Sequence, residues 1–243
     1  MTQQIIFFGS SPFSIIVLQK LLNAQGSTLC AVVTTPDKPA GRHLKLTPNP
    51  VKTLAQKYNI PVIYDLGSRI YDLGSIGLVA AFGQILSQKV LDKFSGQIFN
   101  IHPSLLPKYR GASPLQQQIL DGVVDTGVTI IKMDALMDHG PIVAVARDKI
   151  LPDDTTVTLG NRLFALGADL IINNQLSIIK EQDHSQATYT KKLTRESGFI
   201  SWKMFNDQSS MIKEKIEKMK RAFFPWPGVW TTNPEGKRIK LDL

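Results

Sequence analysis

The chain opens with a repeated pattern in which a short, continuous apolar run is followed by a stretch with helical spacing. The apolar runs predict strands at QIIFFG, TLCAVVT, IPVIY, IGLVAAF and QIFNIH. After the first run, Ile15, Leu18 and Leu22 recur at helical spacing. Strands that are apolar on both faces and separated by helices are typical of a parallel sheet covered on both sides. The pattern therefore predicts an α/β fold with a doubly wound, mostly parallel sheet.

Further helices and strands are predicted along the chain. NPVKTLAQKYN begins with a proline that suits the first turn of a helix. GVTIIKMDA and GPIVAVARDKI predict two strands around the loop ALMDHG. A helix is predicted from about Thr155, capped by Asp154 or Thr155, with an apolar stripe that contains Leu159 and Leu163. The repeat YDLGSRIYDLGS predicts a short, irregular connection.

The last quarter of the chain has a different pattern. Residues 181–207 are polar and lack a clear period, which predicts a linker running back across a main domain of residues 1–180. Residues 208–243 predict a basic helix, SSMIKEKIEKMKRAF, and a closing hairpin. This segment is too short for an independent β-barrel domain.

Composition excludes several classes of protein. The 243 residues are 43% hydrophobic and 20% charged, which is enough for one good core and a small second unit. No apolar run approaches the roughly 20 residues that span a bilayer, and the start of the chain lacks a basic region typical of signal peptides. With a single cysteine, no disulfide framework can form within the chain. We therefore expect a cytoplasmic protein without a membrane segment.

Positive charge is concentrated near the end of the chain. Of the formal net charge of +8, residues 191–243 contribute +6, from 12 Lys and Arg against 6 Asp and Glu. A basic segment of this kind predicts a polyanionic partner such as nucleic acid. The alternative, equally compatible with the charge pattern, is a solvated helix face.

Candidate chemistry lies in FNIHPSLLPKYRGASP, residues 99–114. Asn100 and His102 are two residues apart on a strand and project to the same side, and Pro103 ends the strand. In doubly wound sheets, ligands bind beyond the carboxyl ends of the strands. An acyl-type transfer needs hydrogen-bond donors for its oxyanion and a group that moves a proton, which an amide and an imidazole supply. Asp138, in the loop ALMDHG, could orient the ring.

Each of these signals also has a purely structural interpretation. A histidine at a strand end is often structural, and an Asp before His-Gly is often a turn residue. The four histidines are scattered, so no metal site is predicted. Neither a phosphate-binding glycine loop nor a GxSxG nucleophile elbow is present.

A set of longer motifs carries a resemblance to a known family. The motifs are FFGSSPFS, VVTTPDKPAGRHLKLTPNPVKTLA, AAFGQIL, FNIHPSLLPKYRGASPLQQQIL, TGVTIIKMDALMDHGPIV and RAFFPWPGVW. Together they resemble the 10-formyltetrahydrofolate-dependent formyltransferases, in the branch that formylates methionyl-tRNA. The resemblance implies a catalytic domain over residues 1–180, followed by a C-terminal open β-barrel that helps to grip tRNA. Here we expect only a truncated remnant of that barrel, the basic helix and hairpin of residues 208–243.

The resemblance also implies roles for individual residues. Asn100, His102 and Asp138 match the catalytic residues, with Asn100 and His102 stabilising the oxyanion and His102 helping to shuttle the proton. The implied folate-binding residues are Phe82, Gly83, Gln84, Ile85, Leu86, Ser104, Leu105, Leu106, Pro107, His139 and Gly140. His139 stands where the family leads us to expect a small residue. The formyl donor would be 10-formyltetrahydrofolate, and no metal is expected.

Two basic regions are implied to bind the initiator methionyl-tRNA. The expected residues are Lys38, Arg42, His43 and Lys45 in one loop, and Lys213, Lys215, Lys218, Lys220 and Arg221 on the last helix. We expect a monomer. Two other functions remain open at this point: a formyltransferase acting on a nucleotide-linked amino sugar, and a folate- or tRNA-binding module without catalysis.

Overall fold

The structure, a computed structural model, describes residues 3–25, 27–40, 45–65, 76–173 and 180–243. The strands are β1 (Gln3–Phe8), β2 (Ser27–Val33), β3 (Lys38–Ala40), β4 (Lys45–Thr47), β5 (Val62–Ile63), β6 (Ile76–Ala80), β7 (Ile98–His102), β8 (Arg110–Gly111), β9 (Asp125–Lys132), β10 (Ile142–Lys149), β11 (Tyr189–Thr190), β12 (Val229–Thr232) and β13 (Arg238–Leu241). The helices are α1 (Pro12–Asn23), α2 (Pro50–Lys57), α3 (Gln88–Lys93), α4 (Pro114–Asp121), α5 (Thr156–Ile172), α6 (Trp202–Phe205) and α7 (Ser210–Ala222). Short 3₁₀ helices occupy His184–Gln186 and Arg195–Gly198.

The centre of the fold is a seven-stranded sheet in the order β10-β9-β7-β6-β1-β2-β5. The five strands from β7 to β5 are parallel, whereas β9 and β10 run antiparallel at the other edge. This confirms the α/β class with a mostly parallel sheet. Three two-stranded pairs, β3–β4, β8–β11 and β12–β13, lie outside the central sheet.

The two faces of the central sheet are covered differently. On one face, Phe7, Phe99 and Ile101 belong to a large core cluster that includes buried residues of α1, α2, α4, α5 and α7. On the other face, Phe8 and Ile98 belong to a smaller cluster that includes α3. Alternate residues of one strand therefore serve two separate cores.

Local sequence signals explain where the helices begin. Ser11 caps α1 and forms a capping box with Ser14. Asn49 caps α2, accepting the N–H groups of Val51 and Lys52, and Pro50 follows as the first helical residue. Of the two predicted caps for α5, Thr155 is the one observed, again with a capping box.

Asp154, next to the cap of α5, belongs to an ion-pair network. Arg162 donates to Asp154 at 2.6 Å and to Asp148, near the end of β10, at 2.6 Å. Burial raises the pKa of Asp154, but hydrogen bonds from Arg162, the Leu151 N–H and Thr158 outweigh it and hold that pKa below its usual value. The network joins β10 to the first turns of α5.

The C-terminal segment packs on the rest of the molecule. Helix α7 contacts α4, and the Thr156 hydroxyl at the start of α5 donates to the Ala222 carbonyl at 2.6 Å. The predicted hairpin is present as β12 and β13, which pair antiparallel. The boundaries at residues 180 and 207 remain predictions. The YDLGS repeat lies mostly outside the described residues, and no helix in the described part of the chain is long and apolar enough to cross a membrane.

Candidate active site

The polar pair Asn100 and His102 lies on the face of β7 that also carries Ile98. Both side chains approach the same carboxylate, which confirms that they project to one side. The carboxylate belongs to Asp138, in the loop between β9 and β10. Asp138 Oδ1 is 3.4 Å from Asn100 Nδ2 and 3.5 Å from His102 Nδ1. The three side chains that the sequence placed together are therefore brought together.

The opposite side of the His102 ring faces a backbone carbonyl. His102 Nε2 is 2.9 Å from the Tyr109 oxygen. A carbonyl oxygen only accepts, so Nε2 must carry a hydrogen, and Nδ1 is the nitrogen that gains or loses a proton. Because Nδ1 faces Asp138, proton exchange by this ring would take place beside the carboxylate. The ring itself is only 4% exposed.

Two residues of the site adopt left-handed backbone conformations that non-glycine residues rarely use. Tyr109 has φ 62° and Asp138 has φ 50°. Strain of this kind costs on the order of 1–3 kcal/mol per residue and persists only where surrounding contacts impose it. For Asp138, one such contact is the Gly111 N–H, which donates to its Oδ2 at 2.8 Å. Burial, followed by a hydrogen bond with Asp121, raises the pKa of the Tyr109 phenol to about 12.

Arg110, between Tyr109 and Gly111, is buried although arginine is usually exposed. It is 1% exposed. Its guanidinium donates to Gln182 Oε1 at 2.6 Å, to His184 Nδ1 at 2.8 Å and to the Tyr189 hydroxyl at 3.3 Å. Gln182 in turn donates to the Asp138 carbonyl at 3.0 Å. No pattern in the sequence pointed to Gln182, because the segment around it is polar and aperiodic.

The expected folate-binding residues 82–86 follow β6, the parallel neighbour of β7. Phe82 and Leu86 are buried in the smaller core cluster, whereas Gly83, Gln84 and Ile85 are exposed. The Ser10 hydroxyl donates to the Phe82 carbonyl and holds the segment against the start of α1. Gly83, Gln84 and Ile85 are thus the residues of this segment that a ligand could reach.

The second expected folate-binding segment, Ser104–Pro107, follows β7 directly. Thr129 fixes it, since its hydroxyl donates to the Ser104 carbonyl at 2.6 Å and accepts the Leu106 N–H at 3.2 Å. Ser104 and Leu106 are buried, whereas Leu105 and Pro107 are half-buried. The Leu105 side chain lines a cavity of about 240 Å³ together with Lys108, Tyr109, Gln118, Val123, Asp125 and Arg147.

His139 and Gly140 complete the loop after Asp138. His139 Nδ1 lies 2.6 Å from Asp134 Oδ2, and its ring stacks on the ring of His184 with 4.0 Å between centroids. At Gly140, an added Cβ would lie 1.8 Å from the Lys132 carbonyl. The glycine is therefore required by the close approach of two backbone segments.

The basic loop expected to bind tRNA is anchored at its base. Asp37 accepts the Asn49 N–H at 2.9 Å and pairs with Lys52 at 2.7 Å. The hydrogen bond from Lys52, followed by that from Asn49, lowers the pKa of Asp37. Lys38 and Lys45 are exposed on the hairpin of β3 and β4. Arg42 and His43 lie outside the described residues.

The basic residues of α7 fall into two groups. Lys213 and Lys215 are exposed. The other three have partners within the chain: Lys218 pairs with Glu214, Lys220 pairs with Glu217, and Arg221 donates to the Asp154 carbonyl. Among the described residues, no group of three or more His, Cys, Asp or Glu side chains could hold a metal ion.

Comparison with known proteins defines the class of this fold and site. Residues 3–174 match the family model described as formyl transferase. Curated proteins named methionyl-tRNA formyltransferase are similar over most of the chain. The one from Roseiflexus castenholzii is 40% identical over 96% of this chain and 76% of its own length. The one from Chloroflexus aurantiacus is 41% identical over 94% of this chain and 76% of its own length. The chain belongs to the formyl transferase family and, within it, to the methionyl-tRNA formyltransferases.

Solved structures agree with the fold. A sugar N-formyltransferase from a Shewanella species superposes with a TM-score of 0.72 at 16% identity, covering 100% of this chain and 98% of that one. The N-formyltransferase from Helicobacter canadensis, in complex with folinic acid and dTDP-3-aminofucose, gives a TM-score of 0.67 at 22% identity, covering 97% of this chain and 85% of that one. At these identities the likeness concerns the fold alone.

Proposed function

We propose that this chain transfers a formyl group from 10-formyltetrahydrofolate to the α-amino group of the initiator methionyl-tRNA. The observation that carries the proposal is the convergence of Asn100, His102 and Asp138 on one point at the end of β7. The similarity to curated methionyl-tRNA formyltransferases over nearly the whole chain supports this acceptor. We expect the enzyme to act in the cytoplasm as a monomer.

The proposed reaction begins when the uncharged amine nitrogen attacks the formyl carbon. The carbonyl electrons move to oxygen, and Asn100 Nδ2 and the protonated His102 Nδ1 donate hydrogen bonds to the resulting oxyanion. When the oxyanion collapses, the bond between the formyl carbon and N10 of the folate breaks. The protonated His102 Nδ1, or a water molecule, gives a proton to N10 and then takes up the proton that the amine loses. Asp138 and the Tyr109 carbonyl face the two ring nitrogens of His102 and fix the orientation of the ring.

The donor would lie along the segments that follow β6 and β7. Residues 82–86 and 104–107 leave two adjacent parallel strands at the same edge of the sheet, where ligands of such folds bind. Exposed backbone at Gly83 and Gln84 and the half-buried Leu105 offer polar and apolar contacts for a flat heterocycle. The tRNA would contact the loop that carries Lys38 and Lys45, and the exposed Lys213 and Lys215 of α7.

The test is a formylation assay with the donor and charged initiator tRNA, comparing wild type with His102→Ala. Removal of the ring takes away an oxyanion donor and the proton carrier, so we expect kcat to fall by about 10² or more. Asn206→Ala is the control, because Asn206 is exposed at the end of α6 and its side-chain amide donates to the Trp202 carbonyl, and its rate should equal that of wild type. A His102→Ala variant with full activity would disprove the role of the ring.

A second arm replaces the tRNA with a nucleotide-linked amino sugar. We expect no turnover of the sugar, and tRNA-dependent turnover that falls steeply as salt rises, because the acceptor is a polyanion. Turnover of the sugar without turnover of tRNA would instead support an amino-sugar formyltransferase. Folate binding without turnover of either acceptor would support a binding module.

A further inference from the structure

The segment 182–190 lies against both loops that complete the candidate active site, although it follows the residues matched by the family model. The first loop joins β7 to β8 and contains Tyr109. The Tyr109 N–H donates to the Thr188 hydroxyl at 2.8 Å, and the Arg110 N–H donates to the Thr188 carbonyl at 2.8 Å. Strand β11 then pairs with β8. From the Asp138 loop, the carbonyls of Asp138 and Gly140 both accept hydrogen bonds from Gln182 Nε2. One short segment therefore holds both loops.

Hydrogen-bond chemistry fixes which way the Gln182 amide points. Arg110 can only donate, so the Gln182 atom that faces it at 2.6 Å must be the oxygen. The nitrogen then faces the Asp138 carbonyl at 3.0 Å and the Gly140 carbonyl at 2.7 Å, and both of these groups can only accept. The side chain is 5% exposed, and all of these polar atoms have complementary partners. The Gln182 amide is thus a rigid bridge between Arg110 and the Asp138 loop.

The bridge acts at positions where the backbone is strained. Tyr109 and Asp138 are both left-handed, and each is held by a hydrogen bond from this segment, Tyr109 through Thr188 and Asp138 through Gln182. Each also contacts the catalytic ring directly, through the Tyr109 carbonyl and the Asp138 carboxylate. Without the bridge, the Asp138 loop would lose two hydrogen bonds, one of them at the carbonyl of the strained residue Asp138 itself.

Burial of the Arg110 guanidinium is energetically unfavourable, which suggests that this side chain has a structural role. No carboxylate of the described residues lies within ion-pair distance of this buried guanidinium, and among the same residues its Nε has no hydrogen-bond partner. A buried cation without a counter-ion is unfavourable. Its planar fork does, however, hold the side chains of Gln182, His184 and Tyr189 in one fixed geometry.

We infer that Gln182 is a positioning residue for formyl transfer, fixing the Asp138 carboxylate against His102 by bridging the buried Arg110 to the backbone of the Asp138 loop. The inference rests on the proposed function, because it concerns the geometry of the same reaction. Gln182 forms no hydrogen bond with the side chains of Asn100, His102 or Asp138. It acts through the backbone carbonyl of Asp138.

The experiment compares Gln182→Met and Gln182→Glu with wild type in the methionyl-tRNA formylation assay. Methionine has a similar length but neither donates nor accepts in this way, whereas glutamate keeps the acceptor for Arg110 and loses the donor to the loop. We expect kcat to fall by about 10² in both variants, with unchanged KM values for donor and tRNA. Gln186→Met, an exposed glutamine of the same segment, should behave as wild type. A wild-type kcat in Gln182→Glu would overturn the proposal that the Gln182 amide positions the Asp138 loop.

A double-mutant cycle separates positioning from general destabilisation. If Gln182 acts through Asp138, Gln182→Met should cost far less in an Asp138→Asn background than in wild type. A role limited to folding would cost the same factor in both backgrounds, which would overturn the inference.

A measurement without turnover keeps the inference testable if the proposed function fails. The ring ¹⁵N chemical shifts of His102 report its tautomer and its carboxylate neighbour. We expect them to move in Gln182→Met and to stay unchanged in Gln186→Met. Unchanged shifts in Gln182→Met would overturn the positioning role, whereas an inactive wild type with shifted signals in the variant would count against the proposed reaction only.

Discussion

The two faces of β7 show how one strand can serve a core and a candidate active site at the same time. On one face, Phe99 and Ile101 are buried in the large cluster beneath α5, where an added Cβ at Gly167 would lie 2.5 Å from Ile101 Cγ2. On the other face, Ile98 is buried in the smaller core cluster. Asn100 and His102, further along the same face, are covered by loops and held by directional hydrogen bonds. The stability of the first face depends on how well side-chain volumes fill the core. The geometry of the second face depends on the direction of hydrogen-bond donors and acceptors.

The sharpest test of this difference changes two adjacent residues that point to opposite faces. Ile101→Ala should lower the free energy of unfolding by about 2–5 kcal/mol, because it leaves a cavity under α5. Asn100→Ala should leave stability nearly unchanged but reduce kcat by about 10² or more, because the proposed oxyanion donor is lost. Urea unfolding and steady-state kinetics on both variants measure the two effects. A loss of activity without a loss of stability in Ile101→Ala would contradict the division of roles.

A smaller effect is expected from the helix that covers the packed face. Gly167→Ala should destabilise the fold by about 1–3 kcal/mol, since the new methyl group meets the stiff side chains of Ile101 and Val128. The result would oppose the ordinary helix preference for alanine over glycine, which is worth about 1 kcal/mol. Asn161→Ala, on the exposed side of α5, is the control and should not destabilise. A Gly167→Ala protein more stable than wild type would show that the contact is loose.

The smallest predicted effect concerns acid stability of the same helix. The pKa of Asp154 is lowered in the folded protein, so its contribution to stability is complete above the unfolded value of 3.8 and is lost as pH falls through the folded value. Asp154→Asn weakens the ion pair with Arg162 and should reduce the free energy of unfolding near neutral pH by about 1 kcal/mol. It should also flatten the dependence of that free energy on pH below about 4.

Thermal unfolding of wild type and Asp154→Asn across about pH 2–7 measures how stability depends on pH in each protein. The neighbouring Asp153→Asn is the control, because Asp153 is exposed and has no ion-pair partner in the described part of the chain. Equal acid slopes in wild type and Asp154→Asn would contradict the assignment.

Much of the scaffold follows from the sequence because its causes are local. Continuous apolar runs specify strands buried on both faces, and the helices between them favour a mostly parallel sheet. Pro103 directly follows the last residue of β7, and Asn49 with Pro50 marks the start of α2 as expected. The pairing of Asn100 with His102 follows from strand alternation alone.

The hydrogen bonds that hold the candidate site in place could not be predicted, because they join residues far apart in the sequence or involve backbone groups. The partner of the His102 ring is a backbone carbonyl, and since every residue has one, no pattern singles out Tyr109. Arginine is usually found at the protein surface, but Arg110 is buried. Lys218, Lys220 and Arg221 read as free charges on a helix face, but their partners become visible only in the folded chain.

The place of Thr188 along the chain has a consequence for protein synthesis. The hydroxyl that binds the Tyr109 N–H is translated 79 residues after Tyr109 itself. During translation, all seven strands of the central sheet therefore leave the ribosome before the segment that holds the site in place. Catalytic competence should appear late in synthesis, after the central sheet has been made, and a nascent chain should not consume formyl donor before that stage.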